Sequence, residues 1–401
     1  MTAKLYHQNG CTQCEATVLD CRANADGTFD ILLDRTAIYP EGGGQLSDTG
    51  YIGPARCTHA RDDGGEIWHR CDKPIEIGQS VHVAADEAVR LDHTQQHTGE
   101  HMLSGLAHSM FGCTNVGFHM ANDIVTVDFD KPLSAEQIAE LELKVNEAIQ
   151  RDEPTRTVTV TPEEYETIEI RKKAKGLKGE ITVVYAGGVD SCTCCGTHCQ
   201  SAGQVGVLKI LSHMNYKGGV RIGFVCGMRA VLSMQRDSAR MDAIARRFST
   251  SADKAVDAVM KQGDELAAMR REFKQRTDML LDYRAKELAE KAELCGKTRA
   301  VVTMEEGLEA NELGFLCEKL CACGNMVAVV LAQKGENLSY RVARSADVAL
   351  SMRELIQAVN ALFGGKGGGR DDSAQGSAKL NGSAKDSVEQ LKAYVYRRIK
   401  G

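Results

Sequence analysis

The 401-residue chain carries a formal net charge of −6, with 43% hydrophobic and 26% charged residues, a balance of ordinary globular proteins that excludes disordered and fibrous classes and points to two or three domains. No window approaches the ~18 uninterrupted apolar residues of a membrane span and Met1–Gln8 has no apolar signal core, so the 15 cysteines read as free or metal-binding thiols of a cytoplasmic protein rather than a disulfide scaffold. The acidic balance excludes a wholly basic nucleic-acid binder and leaves any RNA contact to local patches.

The chain reads as α+β. From about 15 to 90, short alternating runs such as Phe29-Asp-Ile-Leu-Leu33 are broken by Asp26-Gly27, Gly42-Gly43-Gly44 and Gly64-Gly65, which predicts a small β-barrel or sheet over 1–90. Met102, Leu103, Leu106 and Met110 recur at helical spacing, and a second amphipathic helix starts near Ser134; both pack on strands expected at 157–160, 181–186, 206–211 and 220–226. Residues 91–228 are thus expected to form an α/β core. Between 229 and 296, Val259, Leu266, Phe273 and Leu280 recur every seven residues, interrupted near Thr250 and Ser251, so a helical hairpin or coiled-coil spacer is expected, suited to a dimer contact. From 297 to 401 strand, helix, two strands and helix lead into the glycine-rich loop Gly364–Arg370 and a last helix, completing a separate α/β domain.

Two short patterns carry the chemistry. His97-Thr-Gly-Glu-His101 places imidazoles at i and i+4, one turn apart on a helix face, where both can grip one ion. Cys194-Cys-Gly-Thr-His198 supplies a thiolate and an imidazole across a glycine turn, and the two pairs offer the ligand set of a tetrahedral zinc, one per chain. Cys192, Cys195 and Cys199 flank that turn, so spacing alone leaves the thiolate open. Cys11-Thr-Gln-Cys14 has no matching second pair and reads as a bystander. His97-x-x-Glu100-His101 also matches the H-x-x-E-H pattern of inverted zinc peptidases, in which Glu100 would be the general base. Basic stretches at Arg171, Lys172, Lys173, Lys175 and Lys178, at Lys366 and Arg370, and at Arg397, Arg398 and Lys400 are candidate RNA contacts, although solvated surface is the ordinary use of such runs.

Three blocks, Thr36-Ala-Ile-Tyr-Pro-Glu-Gly-Gly-Gly-Gln-Leu-Ser-Asp-Thr-Gly50, Gln95-Gln-His-Thr-Gly-Glu-His-Met-Leu-Ser104 and Cys194-Cys-Gly-Thr-His198, together resemble the AlaX-type alanyl-tRNA editing proteins, free-standing relatives of the editing half of alanyl-tRNA synthetase. Phe363-Gly-Gly-Lys-Gly-Gly-Gly-Arg-Asp-Asp-Ser-Ala-Gln-Gly376 is similar to the glycine-rich signature of the DHH-associated domain that ends those synthetases; it is not a Walker A loop, since no Ser or Thr follows Lys366 and the glycines follow a helix. The resemblance implies the long form of the family, with zinc on His97, His101, Cys194 and His198, and selects Cys194 among its neighbours, although Cys195 stands where the family commonly has Gly. It further implies a trans-editing hydrolase that deacylates tRNA(Ala) carrying serine, with glycine second, and a tail that holds tRNA through residues such as Lys366 and Arg370 or pairs subunits. With no aminoacylation domain expected, such a chain removes an amino acid and does not attach one.

Within that reading, Gly42, Gly43 and Gly44 allow close backbone approach, where exposed N–H groups can bind an oxyanion, and Thr36 is the candidate polar partner for the serine hydroxyl. Four protein ligands resemble a closed structural zinc site, so His198 is expected to be the exchangeable one. A non-catalytic tRNA-binding protein with a structural zinc and an H-x-x-E-H peptidase are the alternatives.

Overall fold

Turn chemistry starts the fold. Asp26 caps its own turn, its carboxylate accepting from the Thr28 amide (3.1 Å) and hydroxyl (2.6 Å), and Gly27 takes φ 82°; the strands on either side pair directly. The computed structural model describes residues 1–8, 10–174, 181–380 and 385–400, which divide into two units, 1–244 and 245–401.

In the first unit six strands, β1 (Gln13–Ala23), β2 (Phe29–Leu33), β3 (Gly50–Ile52), β4 (Ala55–Asp63), β5 (Glu66–Cys71) and β6 (Ser80–Ala85), close into a barrel in the order β1-β2-β5-β4-β3-β6. Val18, Ile31, Leu33, Ile52, Ile67 and Val83 fill it, as the period-two alternation requires. Closure is tight at Gly50, where a Cβ would stand 2.2 Å from the Ala84 carbonyl oxygen.

The chain leaves the barrel into α1 (Glu87–Phe111), which ends on the left-handed Gly112. This helix is buried along most of its length, because the barrel-side segment 36–48 and the following sheet enclose it. Arg90, at the end of its first turn, is 8% exposed; it pairs with Asp48 and donates to the carbonyls of Ala37 (2.6 Å) and Cys11 (3.2 Å). A buried guanidinium satisfied in this way fixes the helix against the glycine-rich segment. Strands β7 (Asn115–Met120) and β8 (Val125–Phe129), helix α2 (Ala135–Arg151), strand β9 (Arg156–Val160), the short α3 (Pro162–Thr167), β10 (Ile181–Ala186), β11 (Asp190–Thr193), β12 (Leu208–Tyr216) and β13 (Gly219–Cys226) follow. They form a four-stranded sheet, β12-β13-β8-β7, and a three-stranded one, β9-β10-β11. Met102, Leu103, Met120, Val127, Leu141 and Phe224 share one core. Ser134, near which the sequence places the start of this helix, caps α2 in a reciprocal capping box with Gln137.

Helix α4 (Gly227–Arg247) contains the division between the units, and α5 (Ala255–Glu290) opens the second. The break expected near Thr250 and Ser251 falls between these helices. On α5 the heptad positions Val259, Leu266, Phe273 and Leu280 are 43–72% exposed. Beyond it, β14 (Glu293–Cys295), β15 (Thr298–Glu306), α6 (Ala310–Cys321), β16 (Met326–Lys334), β17 (Asn337–Arg344), α7 (Met352–Phe363), β18 (Lys366–Gly369), β19 (Ser373–Lys379) and α8 (Lys385–Lys400) build a six-stranded sheet in the order β14-β15-β16-β17-β19-β18. Alternation along β16 sends Val327, Val329 and Leu331 toward α7 and α8, and Ala328 and Val330 toward α6 and the end of α5. The glycine-rich stretch read as a loop is instead strand β18, paired with β19. Its glycines serve packing: a Cβ on Gly367 would lie 2.3 Å from the Gln375 carbonyl oxygen, and one on Gly369 2.5 Å from Ala374 Cα. Among the described residues no helix is long and apolar enough to cross a membrane.

Candidate metal centre

Helical periodicity sets the first half of the site. His97 and His101 lie on consecutive turns of α1 with ring centroids 5.1 Å apart. Cys194 and His198 arrive from the segment after β11, and the His198 ring lies 4.8 Å from each of the other two. One ligand atom from each of the four falls within 4.8 Å of the others. His97 Nε2 is 3.4 Å from Cys194 Sγ, and His101 Nε2 is 3.3 Å from His198 Nε2. Tetrahedral zinc with bonds of ~2.0–2.3 Å places neighbouring ligand atoms roughly 3.3–3.8 Å apart, so these separations fit the ion.

The surrounding hydrogen bonds turn electron-rich atoms toward one point. Gln45, fully buried, receives the Thr197 amide on Oε1 (3.0 Å) and gives Nε2 to the Thr197 hydroxyl (2.8 Å), which assigns its amide oxygen and nitrogen. That oxygen also lies 2.7 Å from His97 Nδ1; an amide oxygen only accepts, so Nδ1 carries the proton and Nε2 turns a bare lone pair toward the cluster. His101 repeats the arrangement with Asp190, Nδ1 lying 3.0 Å from Oδ2. Two imidazole lone pairs, a third imidazole and a thiol therefore converge, and a metal ion relieves their mutual repulsion. Burial opposes ionisation of the Cys194 thiol, but a proton taken up by His97, His198 or His101 in place of the ion draws it well below the usual thiol range; a thiolate is the form that ligates metals. Burial pushes His198 down to about 4, which leaves it neutral and able to ligate.

The glycine-rich turn reaches this centre through two neighbours. Gly42 and Gln45 exchange backbone hydrogen bonds at 3.1 and 3.0 Å around Gly43 (φ 60°) and Gly44 (φ 86°), a two-residue turn that glycine favours. A Cβ on Gly44 would come within 2.6 Å of Phe118, and Phe118 stacks on His97 at 5.3 Å. Gly196 is equally confined, since a Cβ there would lie 2.1 Å from His97 Cε1 and 2.8 Å from Gln45 Oε1. Beside His198 opens a cleft of about 450 Å³, bordered by Tyr6, His7, Arg90, Thr94, Thr155 and Gln200. The Thr155 hydroxyl is buried there without a hydrogen-bond partner among the described residues.

The four expected ligands come together, with Cys194 in the cluster while Cys195 is exposed. Thr36, in a two-residue strand outside the barrel that pairs with Ala3 and Lys4, is fully buried, its hydroxyl 2.9 Å from His69 Nε2 and accepting from the Ile38 amide at 3.1 Å. Arg171 points inward, with its side chain 8% exposed and paired to Asp190, because β11 presents a buried carboxylate to it; it is not a surface cation. Lys172 donates to the Asn115 carbonyl at 3.0 Å, and Lys173 to the Glu166 carbonyl at 2.9 Å. Lys366 and Arg370 are exposed. Lys175 and Lys178 lie outside the described residues. Glu100 is buried, and its Oε1 accepts from Ser104 Oγ and Asn115 Nδ2, both at 2.5 Å. Gln45 and Asp190 escaped the sequence reading.

Residues 181–222 match the threonyl and alanyl tRNA synthetase second additional domain, and residues 296–400 match the DHHA1 domain. The alanyl-tRNA editing protein AlaX-L of Pyrococcus horikoshii is 27% identical over 98% of this chain and 100% of its own length. The alanyl-tRNA editing protein Aarsd1 of Rattus norvegicus is 31% identical over 58% of this chain and 58% of its own, so the chain spans little more than half of that relative. Among solved structures, the C-Ala domain of Aquifex aeolicus alanyl-tRNA synthetase aligns at 24% identity and TM-score 0.26, over 27% of this chain and 98% of that one.

Proposed function

We propose, from a chain related along its whole length to an AlaX-L alanyl-tRNA editing protein, that it is a zinc-dependent hydrolase that deacylates tRNA(Ala) carrying serine and, second, glycine. The observation that carries this reading is the convergence of His97, His101, Cys194 and His198 from segments about a hundred residues apart on one point.

Those four residues would hold the zinc, and zinc, when bound, supplies Lewis acidity toward the ester carbonyl or a lowered water pKa. The rest is done by the chain. Gln45 and Asp190 hold His97 and His101 in the tautomer that ligates. Phe118 covers one face of His97 and excludes water from it. The Gly43 and Gly44 amides, at the tip of the turn that delivers Gln45, are the candidate donors to charge developing on the carbonyl oxygen. The cleft beside His198 is within the size range of small-molecule sites and is the candidate seat of the acceptor end. Thr36 serves as partner of the serine hydroxyl only by giving up His69 for the substrate. With Glu100 committed to Ser104 and Asn115, general-base catalysis of the peptidase kind finds no support.

Lys172, Lys173, Lys366 and Arg370 remain the candidate tRNA contacts, and the exposed apolar residues of α5 support the expected dimer contact. The test is turnover of purified seryl-, glycyl- and alanyl-tRNA(Ala). Release of serine, faster than of alanine and abolished by His101→Ala together with the zinc, is expected. A protein that binds zinc and protects seryl-tRNA(Ala) would instead be the binder with a structural metal, which the four-ligand set also accommodates.

A further inference from the structure

We propose that Arg171, whose place in a basic run suggests RNA, is a positioning residue of the metal centre that acts through Asp190 on His101. The inference rests on the zinc reading above and adds to it a residue that touches neither metal nor substrate.

Arg171 binds Asp190 in a two-pronged pair, Nε to Oδ1 at 2.5 Å and Nη2 to Oδ2 at 2.9 Å. The Asp190 side chain is fully enclosed, and those of Arg171 and His101 are 8% and 2% exposed. Backbone bonds fix both ends: the Arg171 amide donates to the Ser191 carbonyl at 2.9 Å, and β11, which carries Asp190, pairs with β10. Asp190 Oδ2 thus serves Arg171 and His101 Nδ1 together. A carboxylate gripped on both oxygens cannot rotate, and its one direction is the direction that orients the imidazole. Cys192 Sγ lies 3.3 Å from the same Nδ1. Without the guanidinium Asp190 is free to turn, and the thiol competes for the imidazole proton, so His101 loses its single orientation. A lysine, with one point charge, restores charge without the fork.

The experiment uses the full chain and measures zinc affinity by competition with a chelator, together with the imidazole nitrogen shifts of His101 in the metal-free protein. Arg171→Lys, Arg171→Met and Asp190→Asn are compared with Lys173→Ala. Zinc affinity is expected to fall about 10-fold for Arg171→Lys and up to about 100-fold for Arg171→Met and Asp190→Asn, with mixed His101 tautomers and folded spectra. Lys173→Ala is expected to keep both. If Arg171→Lys and Arg171→Met bind zinc like wild type while tRNA affinity and its salt dependence fall, Arg171 is an RNA contact and the proposal is overturned. If stability alone drops, with affinity and tautomer unchanged in the folded protein, it is overturned as well. Failure of the wild type to bind zinc would overturn the parent reading instead, so the two failures are distinguishable.

Discussion

Gln45 Oε1 stands 2.7 Å from His97 Nδ1 while the same side chain clasps Thr197 through its amide and hydroxyl, so one glutamine ties both ligand segments together. Gln45→Ala removes the acceptor that fixes the His97 tautomer and frees the turn carrying Cys194 and His198. Zinc affinity is expected to fall 10- to 100-fold with the barrel still folded, as read by chelator competition and circular dichroism. Unchanged affinity would make the clasp incidental to the metal.

Gly196→Ala tests the same junction from the other side. The added Cβ would press on His97 Cε1 at 2.1 Å and Nδ1 at 2.3 Å, distances no packing adjustment of a few tenths of an ångström relieves. Either His97 or the turn must move, and both hold the site. The variant is expected to lose zinc stoichiometry, measured by metal analysis, and to melt at lower temperature.

The four candidate ligands were legible because i, i+4 spacing on a helix and a Cys-x-x-x-His turn are local patterns with a fixed geometric meaning. Their supports were not. Gln45 follows the three glycines in the sequence, but only the fold brings it to His97, 52 residues away; Asp190 has no local signature at all. Arg171 shows the limit of reading charge runs: neighbouring cations count alike in a sequence, yet one turns into the interior when a buried carboxylate meets it. In the fold, Val125, Val127 and Phe129 alternate as a buried strand should, a signal present and passed over. Strand β18 carried none, since glycine contributes no strand propensity and its pairing with β19 is a matter of close backbone approach.

Thr36 and His69 form a buried pair whose acid sensitivity can be measured. His69 Nδ1 faces the Ile31 carbonyl at 3.1 Å, so it carries the proton and Nε2 accepts from the Thr36 hydroxyl. Burial holds His69 at about 4, below the ~6.5 of an exposed imidazole. The unfolded chain therefore takes up a proton between pH 6.5 and 4 that the folded barrel refuses, and stability falls through that window as pH drops, by roughly 3 kcal/mol in all. Denaturation at pH 7 and pH 4.5 is expected to show a smaller loss in His69→Gln. Thr36→Val is expected to cost about 1–3 kcal/mol at neutral pH by leaving polar partners unsatisfied; a change in its serine-to-alanine rate ratio at a temperature where it is fully folded would assign the hydroxyl to substrate as well.

Glu100→Gln separates support from catalysis. The carboxylate accepts from Ser104 and Asn115, and the amide keeps its shape while weakening charge-assisted bonds. A loss of about 1–2 kcal/mol in stability is expected, with zinc and single-turnover deacylation retained. A rate loss near 10² with zinc in place would match removal of an acid–base group and restore the peptidase-like mechanism.

Truncation after Ile244, where the two units divide, asks what the second unit contributes. The first unit contains the barrel, the four- and three-stranded sheets and all four candidate zinc ligands, so it is expected to fold and to bind one zinc. Lys366 and Arg370, the exposed candidates for tRNA contact, lie in the deleted part. If that part supplies binding that is equal in ground and transition states, its removal raises the tRNA concentration needed and leaves the rate at saturation nearly unchanged. Because phosphate contacts carry a salt dependence, the full chain should also lose apparent affinity more steeply with salt than the truncated one. Single-turnover rates across tRNA concentrations at two ionic strengths provide the measurement. An equal fall at low and saturating tRNA would instead make the second unit part of the catalytic centre.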